Sequence, residues 1–225
     1  MKNPLDLQIR RESSTLRQQV ADKLRSAILE GSLEPGTKLI ERDLCEMLGV
    51  SRTVLREALQ SLGAEGLITN VPHKGPTVAT ITRKEAQDIY NVRAALEALA
   101  GKDFALNATE EQIRSLRAAL DRLESASQRG STHELLEIKN QFYATLLEGC
   151  GNAVVAQMLT LLNNRITLLR RMSLSRPGRS KETLAELKEI VNAIEQRNGD
   201  RAYELCAAHV AKAAQVALSS MGDEA

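Results

Sequence analysis

Apolar residues first recur with a clear period at Leu16, Val20, Leu24 and Ile28, every fourth position of the chain. That spacing lays one apolar stripe along a helix, and Ser14 and Thr15 just ahead of it supply hydroxyls suited to capping a helix start. The stripe ends at Gly31, where GSLEPGTKL places the turn residues Gly31, Pro35 and Gly36 around a short extended piece. A second helix is predicted from about Glu41 to Leu48. Gly49 stops it by supplying the backbone freedom of a tight turn, and Ser51 is placed to accept a hydrogen bond from the amides that open the next helix. This third helix puts Ser51, Arg52, Thr53 and Arg56 on its first turns, with Val54, Leu55, Ala58 and Leu59 behind them. Two short helices meeting across a tight turn form the outline of a helix-turn-helix.

Past Gly63 and Gly66 the pattern changes to two short strands, read from LITNVPHKGPTVAT, around a turn at Pro72 to Gly75. Three helices and this two-stranded wing predict a winged helix-turn-helix domain over residues 1–81. From Thr82 onward only helical periods appear. Thr82 with Glu85, and Thr109 with Gln112, have the capping-box spacing. Helices are predicted near 83–106, 110–128, 133–149, 153–173, 181–197 and 201–219. Their breaks fall at Asn107, at Gly130 to Thr132, at Gly151 and Asn152, at Pro177 and Gly178, and at Gly199. Short loops between six helices predict an antiparallel all-α bundle over residues 82–225, so the chain is expected to be mainly α, in two domains.

Composition adds limits rather than a direction. The chain has 225 residues, enough for both domains, and its 30 Lys plus Arg nearly cancel its 29 Asp plus Glu, so only local clustering bears on a nucleic-acid partner. Cys45, Cys150 and Cys206 are widely spaced and odd in number, which suits reduced thiols in a cytoplasm. The opening MKNPLDLQIRRESS lacks the apolar core of a secretory signal. The longest apolar stretch, from Ala153 to Leu169, is interrupted by Asn163, Asn164 and Arg165 and falls short of the roughly 20 residues that span a bilayer. A soluble cytoplasmic protein without a membrane partner is expected. No glycine-rich phosphate loop, nucleophile with its base, or paired catalytic carboxylates are recognised, and isolated His133 and His209 do not alter the expectation that the chain is not an enzyme.

The candidate chemistry lies at the start of the third helix. A recognition helix enters the major groove with its N-terminal residues against base edges and its back face on the preceding helix. Arg52 or Arg56 offers the two donors that span a guanine edge, Ser51 and Thr53 suit phosphate oxygens, and the helix start itself favours a phosphate. Arg42 is placed to reach backbone phosphate, and Lys74 with Gly75 at the wing tip to approach a neighbouring groove. The expected partner is double-stranded operator DNA.

The run RQQVADKLRSAILEGSLEPGTKLIERDLCEMLGVSRTVLREALQSLGAEGLI, with the KG turn after it, resembles the DNA-binding domain of GntR-superfamily regulators. The helical remainder resembles the FadR-type effector domain called FCD, so the likeness covers nearly the whole chain. It implies DNA contact at Arg42, Arg52, Arg56 and Gly75, with Ser51 and Thr53 in support. Val54 stands where members of this subgroup often carry proline, a difference the first helical turn accepts. The resemblance further implies a homodimer on a pseudo-palindromic operator, repression more often than activation, and a small-molecule effector, often a carboxylic acid, inside the bundle.

Many such regulators also hold a divalent metal through Asp or Asn, a His four residues later, and two further histidines. Aligning EIKNQFYATLLEGCGN on Phe142, Gly151 and Asn152 puts Lys139 and Tyr143 at the first two positions, Leu187 at the third and His209 at the fourth. One histidine does not hold a zinc ion, so neither metal nor other cofactor is expected. Instead Lys139, with Arg93 and Arg165, is expected to receive a carboxylate, while Tyr143 and His209 supply hydrogen bonds. The alternative is that Lys139 snorkels to solvent, His209 is a satisfied core histidine, and the arginines pair with nearby glutamates.

Overall fold

A computed structural model describes residues 15–129, 132–174, 176 and 178–221, with the backbone alone at residues 128, 129, 132, 133 and 174. Ser14, Gly130, Ser131 and Pro177, expected as a cap and as helix breaks, lie outside the described residues, as does the side chain of His133. The chain divides into two compact units between Ala79 and Thr80, just ahead of the division expected after Ile81.

The first unit contains α1 (Leu16–Glu30), α2 (Glu41–Leu48), α3 (Arg52–Ala64), β1 (Ile68–Val71) and β2 (Gly75–Val78). Thr15 caps α1 by accepting a hydrogen bond from the Gln18 amide at 3.3 Å. Val20, Leu24 and Ile28 are buried, whereas Leu16, first in the stripe, is exposed in the opening turn. Leu55, Ala58, Leu59 and Leu62 form the buried back of α3, which packs on both α1 and α2. A two-pronged ion pair from Arg25 to Glu65, both bonds 2.7 Å, clasps α1 to the residue that ends α3.

The turn between α2 and α3 follows from its residues. Gly49 takes φ +65°, a left-handed conformation that suits glycine, and the Ser51 hydroxyl accepts from the Val54 amide at 3.4 Å. In the wing, β1 and β2 pair antiparallel from Ile68 opposite Val78 to Val71 opposite Gly75. The extended piece ahead of α2 joins this hairpin: Lys38 bridges Thr77, the Leu39 amide donates to the Pro76 carbonyl, and the Val78 amide donates to the Thr37 carbonyl, both at 2.9 Å.

The second unit is a helical bundle of α4 (Arg83–Asn107), α5 (Glu110–Arg129), α6 (Thr132–Gly149), α7 (Ala153–Leu174), α8 (Arg179–Glu195) and α9 (Gly199–Ser219). The long α4 packs against α6, α7, α8 and α9, while α5 lies against α6 and α8. Thr82 accepts from the Glu85 amide at 3.1 Å, and Thr109 with Gln112 closes a reciprocal capping box with bonds of 2.8 and 3.2 Å. α8 and α9 begin at Arg179 and Gly199, earlier than the sequence predicts. Asn198 caps α9 through the Arg201 amide at 3.0 Å, so Gly199 becomes its first residue rather than a break. Among the described residues no helix is long and apolar enough to cross a membrane.

Candidate DNA-reading face and effector site

The residue order of α3 separates its two roles. Leu55, Ala58, Leu59 and Leu62 are consumed by the core, leaving Ser51, Arg52, Thr53 and Arg56 exposed. The Arg56 guanidinium grips Glu41 on the first turn of α2, with Nε 2.9 and 3.0 Å from the two carboxylate oxygens. Arg42 is exposed and pairs with its neighbour Asp43 at 3.0 Å. Lys74 and Gly75 occupy the wing turn, where Gly75 takes φ +82° and His73 φ +63°. Between α3 and the wing lies a groove of about 460 Å³ lined by Glu41, Arg56, Gln60, Asn70 and Pro76. The helix start offers amide donors and a positive dipole end, and the arginines offer planar forks of the shape a guanine edge accepts.

In the bundle, the inward stripes of five helices each carry ionisable or polar side chains. Arg93 and Glu97 come from α4, Lys139 and Tyr143 from α6, Arg170 from α7, Arg179 and Glu186 from α8, and His209 from α9. Arg93 is fully buried; its Nε donates to Glu97 Oε1 at 2.6 Å and its Nη2 to the Tyr143 hydroxyl at 3.4 Å. Arg170 approaches Glu97 Oε1 at 3.5 Å and donates to Asn140 Oδ1 at 2.8 Å. Both guanidiniums stand over the Tyr143 ring, with Arg170 the nearer at 3.9 Å from its centre. Arg179 donates two 2.8 Å bonds to Glu186, which also meets His209 Nδ1 at 2.5 Å and Lys212 Nζ at 3.6 Å.

Burial and neighbouring charge set the protonation of this cluster. Burial pushes the Glu97 carboxyl up, but Arg93 and Arg170 outweigh it and leave the group below its ordinary range. Glu186 is likewise pushed up by burial, yet its bonds to His209 and Arg179 bring it down to about 2. Burial lowers His209 to about 4 against the pull of Glu186, so at neutral pH its Nδ1–H donates to an ionised Glu186. Burial and then Arg93, Arg170 and Arg179 drive the Lys139 amine well below its ordinary 10.5. Arg170 falls to about 10, chiefly through burial and then Arg93, and stays charged near neutrality.

Arg93, Lys139, Tyr143 and His209 therefore meet in one cluster, whereas Arg165 does not. It lies at the surface in a 2.7 Å ion pair with Glu85 and corrects the expectation that it faces the ligand. The inward line of α7 runs through Leu159, Ile166, Arg170 and Ser173, and Arg165 sits off that line. Lys139 does not snorkel, being 2% exposed. Part of the alternative reading holds, since Arg93 pairs with Glu97 and His209 with Glu186. Sequence reasoning missed Glu97, Arg170, Arg179 and Glu186. The available signal was the interruption of apolar stripes: Arg93 and Glu97 fall in register with buried Ala86, Tyr90 and Phe104, and Arg179 with Thr183, Leu187, Ile190 and Ile194.

The cluster borders a cavity of about 500 Å³ lined by Glu97, Asn140, Tyr143, Arg170, Leu159 and Ile166, among others. Polar atoms of Arg93 Nη1, Arg170 Nε, Arg179 Nε, Thr183 Oγ1 and His209 Nε2 are buried without a hydrogen-bond partner. Such a donor-rich centre suits an anion. It does not fit a divalent metal: the four aligned positions hold Lys139, Tyr143, Leu187 and His209, three guanidiniums crowd them, and no group of three or more His, Cys, Asp or Glu assembles among the described residues.

A winged helix-turn-helix with an exposed arginine-bearing reading helix, coupled in one chain to a helical unit with a polar interior cavity, defines the class of ligand-responsive DNA-binding regulators. The pattern of the bacterial regulatory proteins of the gntR family matches residues 16–78, and that of the FCD domain matches residues 88–212. The chain belongs to the GntR family and carries an FCD effector domain. It is similar to the uncharacterized HTH-type transcriptional regulator YdhC of Bacillus subtilis, 27% identical over 85% of this chain and 86% of the relative. It is also similar to the HTH-type transcriptional repressor GlaR of Escherichia coli, 30% identical over 83% and 89%. The same fold occurs in a putative GntR transcriptional regulator from Rhodococcus sp. RHA1, with a TM-score of 0.79, 22% identity and coverage of 93% of this chain and all of the other. The protein is accordingly a DNA-binding transcriptional regulator whose FCD domain is a ligand-binding effector domain.

Proposed function

We propose that the protein is a cytoplasmic repressor that leaves its operator when a small organic acid occupies the buried cluster of the FCD domain. In this reading Arg52 and Arg56 meet base edges in the major groove. Ser51, Thr53 and Arg42 hold phosphates, and Lys74 with Gly75 follows the neighbouring groove. The effector's carboxylate is received by Arg93, Lys139 and Arg170, with a hydrogen bond from the Tyr143 hydroxyl, while His209, its Nδ1–H committed to Glu186, offers Nε2 only as an acceptor. The observation that carries the ligand class is the set of buried guanidinium nitrogens without partners, on Arg93, Arg170 and Arg179, of which Arg170 also lines the cavity. Repression is supported by the name of the relative GlaR.

A two-fold dimer sets the spacing of the two reading helices. Its surface is best supplied by α7, where Val154, Met158 and Leu161 are 67%, 40% and 67% exposed at a helical spacing that aligns them. An acid that favours one arrangement of the heads lowers operator affinity by shifting the population between arrangements. The reading is tested by selecting duplexes from a random pool, then titrating the protein–operator complex with organic acids and following fluorescence anisotropy. Release of the duplex by an acid supports it; operator affinity indifferent to every acid tried overturns the effector assignment, and the absence of an enriched duplex overturns the DNA assignment.

A further inference from the structure

The interior of the bundle holds more positive than negative charge. Arg93, Arg170 and Arg179 are guanidinium cations, their enclosed carboxylate partners are Glu97 and Glu186, and His209 is neutral; a third carboxylate, Glu182, stands 3.5 Å from Arg179 but is 56% exposed and in contact with solvent. The guanidiniums exceed the enclosed carboxylates, and Lys139, 2% exposed, adds a further positive charge whenever it is protonated. An uncompensated charge of this kind is costly in a protein interior and signals a missing counterion. Moreover, each of the three guanidiniums keeps one N–H without a partner although all three side chains are at most 3% exposed. These donors come from α4, α7 and α8, with the amine contributed by α6, so they converge from four separate helices rather than from one local turn.

We propose that the FCD domain binds its effector directly on Lys139 and the guanidinium groups of Arg93, Arg170 and Arg179, without a metal ion, and that the effector carries two negative charges, as a small dicarboxylate does. The inference rests on the reading of this cluster as the effector site and narrows it. A single carboxylate balances the excess of guanidiniums over enclosed carboxylates and leaves no partner for a protonated Lys139. A second negative charge supplies that partner. Lys139 faces Arg93 and Glu97 of α4, Arg170 of α7, Arg179 of α8 and His209 of α9, and shares α6 with Tyr143. The buried face of α5 is apolar, with Ile113, Leu116, Leu120 and Leu123. A ligand carboxylate is thus the group that changes the balance at Lys139, and it draws a proton onto the amine as it binds. The acid thus meets the charge of fixed side-chain cations directly, with no ion between them.

The test uses the full chain in isothermal titration with malonate, succinate, glutarate and adipate, each beside the monocarboxylate of equal carbon number. Every titration is run before and after exhaustive EDTA treatment. At least one dicarboxylate is expected to bind with the same affinity in both preparations, and about tenfold or more tightly than its monocarboxylate counterpart. Lys139→Met is expected to weaken the dicarboxylate about ten- to a hundredfold and to erase its advantage over the monocarboxylate. The first two comparisons use the wild-type protein, so they stand even where the variant folds poorly. Binding that EDTA abolishes and Zn²⁺ or Mn²⁺ restores overturns the metal-free site, and equal affinity for the paired acids overturns the second charge, while either result leaves an acid effector in place. Failure of every acid of both kinds to bind overturns the effector reading itself.

Discussion

Arg56 and Arg52 differ in what they must give up to reach DNA. The Arg56 fork is already occupied by Glu41 and must exchange a carboxylate for a base or phosphate, whereas Arg52 is exposed on the first turn of α3. Arg52→Ala is therefore expected to reduce discrimination at one operator base by about ten- to a hundredfold, read by comparing selected and single-base-changed duplexes in anisotropy titrations. In the bundle, acid sensitivity follows from His209 and Glu186. Both groups have folded values below their ordinary ones, His209 at about 4 against 6.5 and Glu186 at about 2 against 4.5, so the unfolded chain binds more protons across both windows. Their contribution is fully present above pH 6.5 and is lost as pH falls, first between 6.5 and 4 and then between 4.5 and 2. The thermal midpoint should fall through the upper window in wild type, and His209→Gln should flatten that part of the profile in scanning calorimetry. That Arg93, Lys139, Tyr143 and His209 share one interior cluster was legible, but their partners were not. A polar residue on an apolar stripe announces burial, whereas whether Arg165 or Arg170 turns inward depends on how α7 is rotated against α4 and α6, which is a property of packing.

Helix existence was readable from period and caps, and helix ends were readable only where the deciding residue was the cap itself. Composition predicts a break at Gly199, yet the Asn198 side chain one residue earlier opens α9 and carries the glycine into the first turn. Close approach between elements leaves no mark in a single sequence. Gly149, the last residue of α6, faces the buried ring of Phe104 on α4, where an added Cβ would stand 2.8 Å from Cδ2 and 3.1 Å from Cζ. Because Phe104 is enclosed and the ring has little room to turn, Gly149→Ala is expected to lower stability by about 1–3 kcal/mol in denaturant unfolding. An unchanged midpoint there would mean that α4 and α6 separate readily at this crossing.

At the scale of the whole molecule, the proposed repressor acts through two copies, and the aligned Val154, Met158 and Leu161 on α7 are the surface expected to join them. Leu161→Glu should shift the protein toward monomer in analytical ultracentrifugation and weaken binding to a two-half-site operator far more than binding to one half-site, because linked heads gain effective concentration that separate heads lose. A dimer of undiminished stability would assign the contact to another face. The stitching of Lys38 and Leu39 to the wing has a consequence for how such a protein diversifies. With hairpin, turn and reading helix fastened into a single template, the length of duplex covered by one head is invariant, and only the text within that length is open to change by side-chain substitution. Related operators should then vary in letters inside a half-site and in the gap between half-sites, while an inserted base pair within a half-site breaks recognition.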